Sequence, residues 1–230
     1  KQACWCWDIE QIKTKAVSDN VVDLLLQQIK ALPVKSHHIL HIASCLGTWF
    51  DLTRLSIAAD ESISECARLL LPVLEAGFIY QEGGDWSIRM AGMVNLSLLY
   101  LNKDFQAPKC RFAHDRILQA AYQNFNEHSL EQTHLNIGRR QLAHYDEDEC
   151  QRYIFGLLKH LNKGRSLISQ PQERCLVAEL NEQAAQKNKQ AGVWKAAGTY
   201  AEIGQALLPP DAWAQNYQLS FNLKLICAEC

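Results

Sequence analysis

From Val22 onward, apolar residues recur at i, i+3, i+4 and i+7, and residues that start or stop helices punctuate every run. Val22, Leu25, Leu26 and Ile29 form the first stripe, behind the start signals Ser18 and Asp19. Ile39, Ile42, Ala43 and Leu46 form the second, closed by Gly47. Asp51 is placed to cap a short helix through Leu52, Leu55 and Ala58. Ser62 and Glu65 make a capping box for a helix through Cys66, Leu70 and Leu74, with Gly77 as its left-handed stop. Short, punctuated helices of this kind predict a compact helical unit.

The pattern then changes. Phe78-Ile79-Tyr80 and Arg111-Phe112-Ala113 are short aromatic or β-branched runs that predict two strands, with a wing between them and a further strand near 86–89. A helical core followed by a β-hairpin is the order of a winged-helix domain. Helical spacing returns at Ile117, Ala121 and Phe125. Ser129 to Gln132 has the form of a second capping box, opening a helix with Leu135 and Leu142. Ile154, Leu157, Leu158 and Leu161 give one helix, ended by Lys163-Gly164. Two more, between Pro171 and Leu208, join near Gln190-Ala191-Gly192. The second of these carries Ala197, Ala201 and Gly204 before Pro209-Pro210, a weak form of the tetratricopeptide pattern.

The expected fold is therefore mainly α. It consists of a winged-helix-like domain over 18–125 with an inserted wing at 85–109, then a tetratricopeptide-like antiparallel helical array over 126–230, truncated at its C-terminus. Residues 1–17 read as a linker or the remnant of a preceding domain.

Composition narrows the function. The net charge of −2 leaves no positive excess to hold a polyphosphate backbone. No apolar run approaches the length of a membrane span. The nine cysteines are scattered and lack a second pair at zinc-site spacing, as expected of reduced thiols in a cytoplasmic protein. No phosphate-cradling glycine loop, zinc-protease helix, nucleophile elbow or kinase signature occurs. The chain reads as non-enzymatic, with no cofactor and no metal; His37 and His41 have ligand spacing but no local third ligand. DNA binding is the rival reading. It is weakened because the third core helix carries Glu65 and Glu75, with Glu61 just before it, against the single Arg68.

One cluster admits both a structural and a functional account, and the structural one is the simpler. His114, Asp115 and Arg116 stand together at the start of a helix in R-F-A-H-D-R-I-L-Q-A-A-Y, residues 111–122. Asp115 suits a helix N-terminus, His114 can cap it, and Arg116 can pair with a carboxylate or a phosphate.

Several segments carry a resemblance. They are W-x-W-D-I-E-x-I at 5–12, D-N-V-V-D-L at 19–24, L-x-I-A-S-C-L-G-x-x-F-D-L at 40–52 and E-A-G-F-I at 75–79, then the His-Asp-Arg segment. H-L-N-I-G-R-R at 134–140, H-L-N-K-G-R-S-L-I at 160–168 and A-L-L-P-P-D-A-W at 206–213 complete the series. In this order they resemble the region after the P-loop ATPase domain, of the STAND type, in large bacterial multidomain signalling proteins. Those proteins join a serine/threonine-kinase-like domain, the ATPase, sensor domains and often a histidine kinase of a two-component system. The resemblance implies a non-catalytic regulatory and protein-interaction segment, with the upstream ATPase domain of the same chain and a protein on the helical array as partners. It also implies that His114, with Asp115 and Arg116, either senses nucleotide or fixes an interdomain junction. A DNA-binding winged-helix transcriptional regulator is the alternative.

Overall fold

The computed structural model describes residues 21–82, 107–123 and 127–230. The expectations for 1–17, for Ser18 and Asp19, for the insertion as far as residue 106 and for Phe125 lie outside them. Over these residues the protein is mainly α-helical with one small antiparallel sheet, as its periodicity predicts.

Helices α1 (Val21–Lys30) and α2 (Val34–Leu46) come first, then strand β1 (Trp49–Asp51) and helices α3 (Leu52–Ala59) and α4 (Ile63–Glu75). Strands β2 (Ile79–Gln81) and β3 (Lys109–Phe112) lead into α5 (Asp115–Gln123). The stops act as expected: Gly47 and Gly77 have φ of +124° and +72°, where glycine carries no Cβ penalty. The Asp51 carboxylate accepts the Arg54 N–H at 2.8 Å, and the Ser62 hydroxyl accepts the Glu65 N–H at 3.1 Å.

Among the described residues the sheet has three strands: the two that the sequence suggests, and β1, which it does not; the further strand expected near 86–89 lies outside the described residues. The sheet order is β1-β3-β2, with Trp49 opposite Arg111 and Arg111 opposite Tyr80. β1 escapes sequence reading because it is three residues long and ends on the residue that caps α3. Only Phe50 of the three is buried, meeting Phe112 at 6.0 Å between ring centroids. On the other face Arg111 stacks over Trp49 and pairs with Glu82 at 3.0 Å.

The second half comprises α6 (Glu127–His144), α7 (Glu147–Arg152), α8 (Ile154–Lys163), a 3-10 turn (Arg165–Leu167), α9 (Pro171–Gln190), α10 (Trp194–Leu207), α11 (Ala212–Gln215) and α12 (Tyr217–Glu229). The Ser129–Gln132 box is not a helix start. α6 begins at Glu127 and runs through it, and the Ser129 carbonyl accepts the Thr133 hydroxyl inside the helix. The box that does form is Asp146 with Glu149, at the start of α7. α9 and α10 make a hairpin through Gly192, whose φ is +74°. The small residues of α10 bring α12 close, as their size allows: a Cβ on Gly204 would lie 2.8 Å from Leu223.

One apolar cluster fills the first half, from Ile29 to Ala121, and also takes in Ile137 of α6. A second gathers Leu135 with Ile154, Leu158, Val177 and Leu207. Two positions apart on one helix, Leu135 and Ile137 thus serve different cores. Arg140 reinforces this arrangement from α6, donating to the Ala58 carbonyl at the end of α3 at 2.7 Å.

Candidate functional site

The two H-L-N-x-G-R segments sit on α6 and on α8 with its following turn, and they pack against each other antiparallel. The relation is reciprocal: a Cβ on Gly138 would lie 2.6 Å from the Leu161 side chain, and one on Gly164 would lie 2.6 Å from the Leu135 Cβ. Each glycine makes room for the other segment's leucine. The two histidines meet at the same crossing, with His134 Nδ1 and His160 Nδ1 2.9 Å apart.

Both imidazoles are buried, at 1% and 3% exposed. The Tyr122 hydroxyl lies 3.0 Å from His134 Nε2. The phenol is the natural donor, so His134 carries its proton on Nδ1 and donates it to His160 Nδ1. That leaves the His160 proton on Nε2. Burial, with Lys163 and Lys159 adding repulsion, lowers His134 to about 4. Burial and the neighbouring His134 lower His160 to about 3. His41 on α2 is also buried, with Nδ1 3.3 Å from the Ala121 carbonyl, and burial lowers it to about 4. All three are neutral near pH 7.

His160 forms part of the floor of a cleft of about 120 Å³ between the two halves. Gln141, 4% exposed, shares that floor, and its Oε1 is buried without a hydrogen-bond partner. The mouth carries Trp49, Arg54, Tyr153 and Lys159. Arg54 lies over the Tyr153 ring at 5.1 Å and hydrogen-bonds Tyr145, while Lys159 donates to the Cys45 carbonyl at 3.1 Å. Among the described residues no carboxylate forms an ion pair with either cation.

His114, Asp115 and Arg116 lie elsewhere, exposed at the start of α5. His114 Nδ1 accepts the Arg116 N–H at 3.1 Å, and the His114 carbonyl accepts from Ile117 and Leu118. The Arg116 guanidinium reaches Gln119 at 3.3 Å. This is the geometry of a helix cap. Among the described residues no group of three or more His, Cys, Asp or Glu is arranged to hold a metal. Burial pushes the Cys45, Cys66 and Cys110 thiols up to about 12, so these cysteines behave as small core hydrophobes.

The cleft is not legible as a motif, because its floor and mouth come from α3, α6, α8 and the ends of neighbouring segments. The signal that leads toward it is the H-L-N-x-G-R repeat, whose two copies bring His134 and His160 together.

No protein-family model matches the chain, and no solved structure matches it. The chain is similar to hybrid signal transduction histidine kinase G of Dictyostelium discoideum, at 26% identity over 259 aligned residues. The alignment covers 96% of this chain and 8% of that protein. No helix among the described residues is long and apolar enough to cross a membrane.

Proposed function

We propose that the chain is a non-catalytic regulatory and protein-interaction segment of a large signalling ATPase–kinase that acts in the cytoplasm. In this reading it couples the nucleotide state of an upstream ATPase domain to partner or sensor domains. The observation that carries the reading is the similarity to a hybrid histidine kinase over 96% of the chain but only 8% of that protein. The parent type suggested by the sequence segments is bacterial and of the STAND ATPase kind; the Dictyostelium relative extends the likeness to another multidomain setting.

The element order supports a winged-helix-like first unit: helix, strand, two helices, then two strands, in a sheet ordered β1-β3-β2. The α9–α10 hairpin with α12 packed on it supports a tetratricopeptide-like second unit. α6 joins the two by belonging to both cores, which suits a segment that passes on a domain movement. The DNA-binding alternative gains nothing from α4, where Glu65 holds Arg68 in a fork at 2.8 and 2.5 Å.

The test is made on the full-length parent protein. Replacing Arg140 by Ala loosens α6 from α3 without touching any ATPase or kinase residue. The expected result is an ATPase that still turns over but whose nucleotide state no longer alters kinase output. Unaltered coupling, with the substituted segment folded, refutes the reading. Sequence-specific DNA retention by the chain at physiological salt would instead favour the regulator.

A further inference from the structure

We propose that the cleft between α3, α6 and α8 binds a small oxyanion that carries its own hydrogen-bond donor, hydrogen phosphate or a short hydroxy carboxylate. Such binding is independent of the signalling role, since it depends only on the groups the cleft presents.

Its mouth is cationic. Arg54 and Lys159 flank the opening, and no carboxylate among the described residues pairs with either. Asp51, whose charge is felt at Tyr145, and Glu149 line the adjoining pocket that Arg54 also borders, and neither pairs with Arg54. An approaching anion therefore meets uncancelled positive charge before it is enclosed.

The floor is polar and specific. His160 is held through Nδ1 by His134, so Nε2–H is the donor left for the cleft that His160 lines. Beside it, Gln141 Oε1 is buried and unpartnered. A buried carbonyl oxygen without a donor is costly, by about 1–3 kcal/mol, and invites an occupant that supplies one. A bare oxyanion such as sulfate satisfies His160 and the two cations but repels Gln141 Oε1. An oxyanion bearing an O–H satisfies both sides. At about 120 Å³ the space suits a group of a few heavy atoms, not a nucleotide.

Trp49 and Tyr153 wall the mouth with ring edges and faces, and Arg54 is already aligned over Tyr153. An anion seated here would touch α3 on one side and α6 and α8 on the other, and so brace the two halves together.

The experiment is calorimetric titration of the 230-residue chain at pH 7 with four probes: inorganic phosphate, sulfate, glycolate and acetate. Within each pair the two probes differ by the donor. Binding of phosphate at least about tenfold tighter than sulfate supports a phosphate occupant, one satisfied hydrogen bond being worth about that ratio. The same preference for glycolate over acetate supports a hydroxy carboxylate. Gln141→Met, which keeps the volume and removes the acceptor, is expected to erase the preference, and Lys159→Met to weaken all binding. No binding by any probe, or equal binding within both pairs, overturns the proposal. The four titrations use the unsubstituted chain, so the outcome does not depend on either variant folding.

Discussion

His134 and His160 share a single proton between facing Nδ1 atoms, 2.9 Å apart, inside the crossing of two helices that carry the same six-residue pattern. A second proton on His160 Nδ1 would place two N–H groups head to head, and one on His134 Nε2 would oppose the Tyr122 hydroxyl proton until the phenol turned. Burial and the nearby Lys159 and Lys163 oppose that charge further.

The pH dependence follows with a definite sign. Unfolded, these histidines titrate near 6.5; folded, His41 and His134 titrate near 4 and His160 near 3. Below pH 6.5 the unfolded chain therefore binds more protons, and stability falls as pH falls toward the folded values. The groups facing them are Lys159, Lys163, Arg54, His37 and His38, all of which oppose added positive charge. One such histidine costs on the order of 2 kcal/mol between pH 6.5 and 5, above the carboxylate range. Urea unfolding at pH 7.5, 6.5 and 5 measures it; a midpoint that does not move across this window contradicts the buried neutral ladder.

The two glycines of the repeat differ in what stands opposite. A methyl on Gly164 meets the Glu131 carbonyl oxygen at 2.7 Å, which is backbone and cannot turn aside. A methyl on Gly138 meets chiefly the tip of Leu161, a side chain that can shift. Gly164→Ala is expected to destabilise by about 2–3 kcal/mol and Gly138→Ala by less, as overpacking costs generally run. Denaturation midpoints of the two variants check the order, and the reverse ranking would count against this packing.

Asp60 closes α3 in the left-handed region, with φ of 61°. Its ion pair with Arg140 is long, at 3.7 Å, and its side chain is 69% exposed, so that contact contributes little. Asp60→Gly is expected to leave the chain as stable or to raise its stability by up to about 1 kcal/mol. Arg140→Ala, which also removes the bond to the Ala58 carbonyl, is expected to lose about 1–2 kcal/mol. Thermal melts of both variants separate the two effects.

His114→Ala removes the ring that accepts the Arg116 N–H and is expected to cost about 0.5–2 kcal/mol as a lost cap. ADP titration of the chain joined to the ATPase domain proposed to precede it, with and without the substitution, then decides the residue's role. Unchanged affinity with a lower melting temperature leaves His114 as a cap. Lost affinity at unchanged stability makes it a nucleotide sensor.

What the residues reveal by themselves is whatever is local. Asp51, Ser62, Gly47, Gly77 and Gly192 mark their element ends because a cap or a positive φ acts within three or four positions. β1 is hidden because its partner β3 lies some sixty positions away and its own three residues carry no alternation long enough to see. Ser129 misleads because a serine three residues before a glutamine also occurs inside helices, where the hydroxyl has other uses. The cleft is out of reach for the same reason as β1: Trp49, Gln141 and His160 meet only through the packing of α6 between two cores. The repeated H-L-N-x-G-R is in plain view, but nothing in one copy says that it faces the other.

The placement of Leu135 and Ile137 in different cores has a thermodynamic consequence. A helix that supplies one wall to each core cannot melt out of either alone, because the turn holding Leu135 is the turn holding Ile137. The two halves then lose their structure in one heat-absorption peak, with calorimetric and van't Hoff enthalpies that agree, although their strands and helices look divisible.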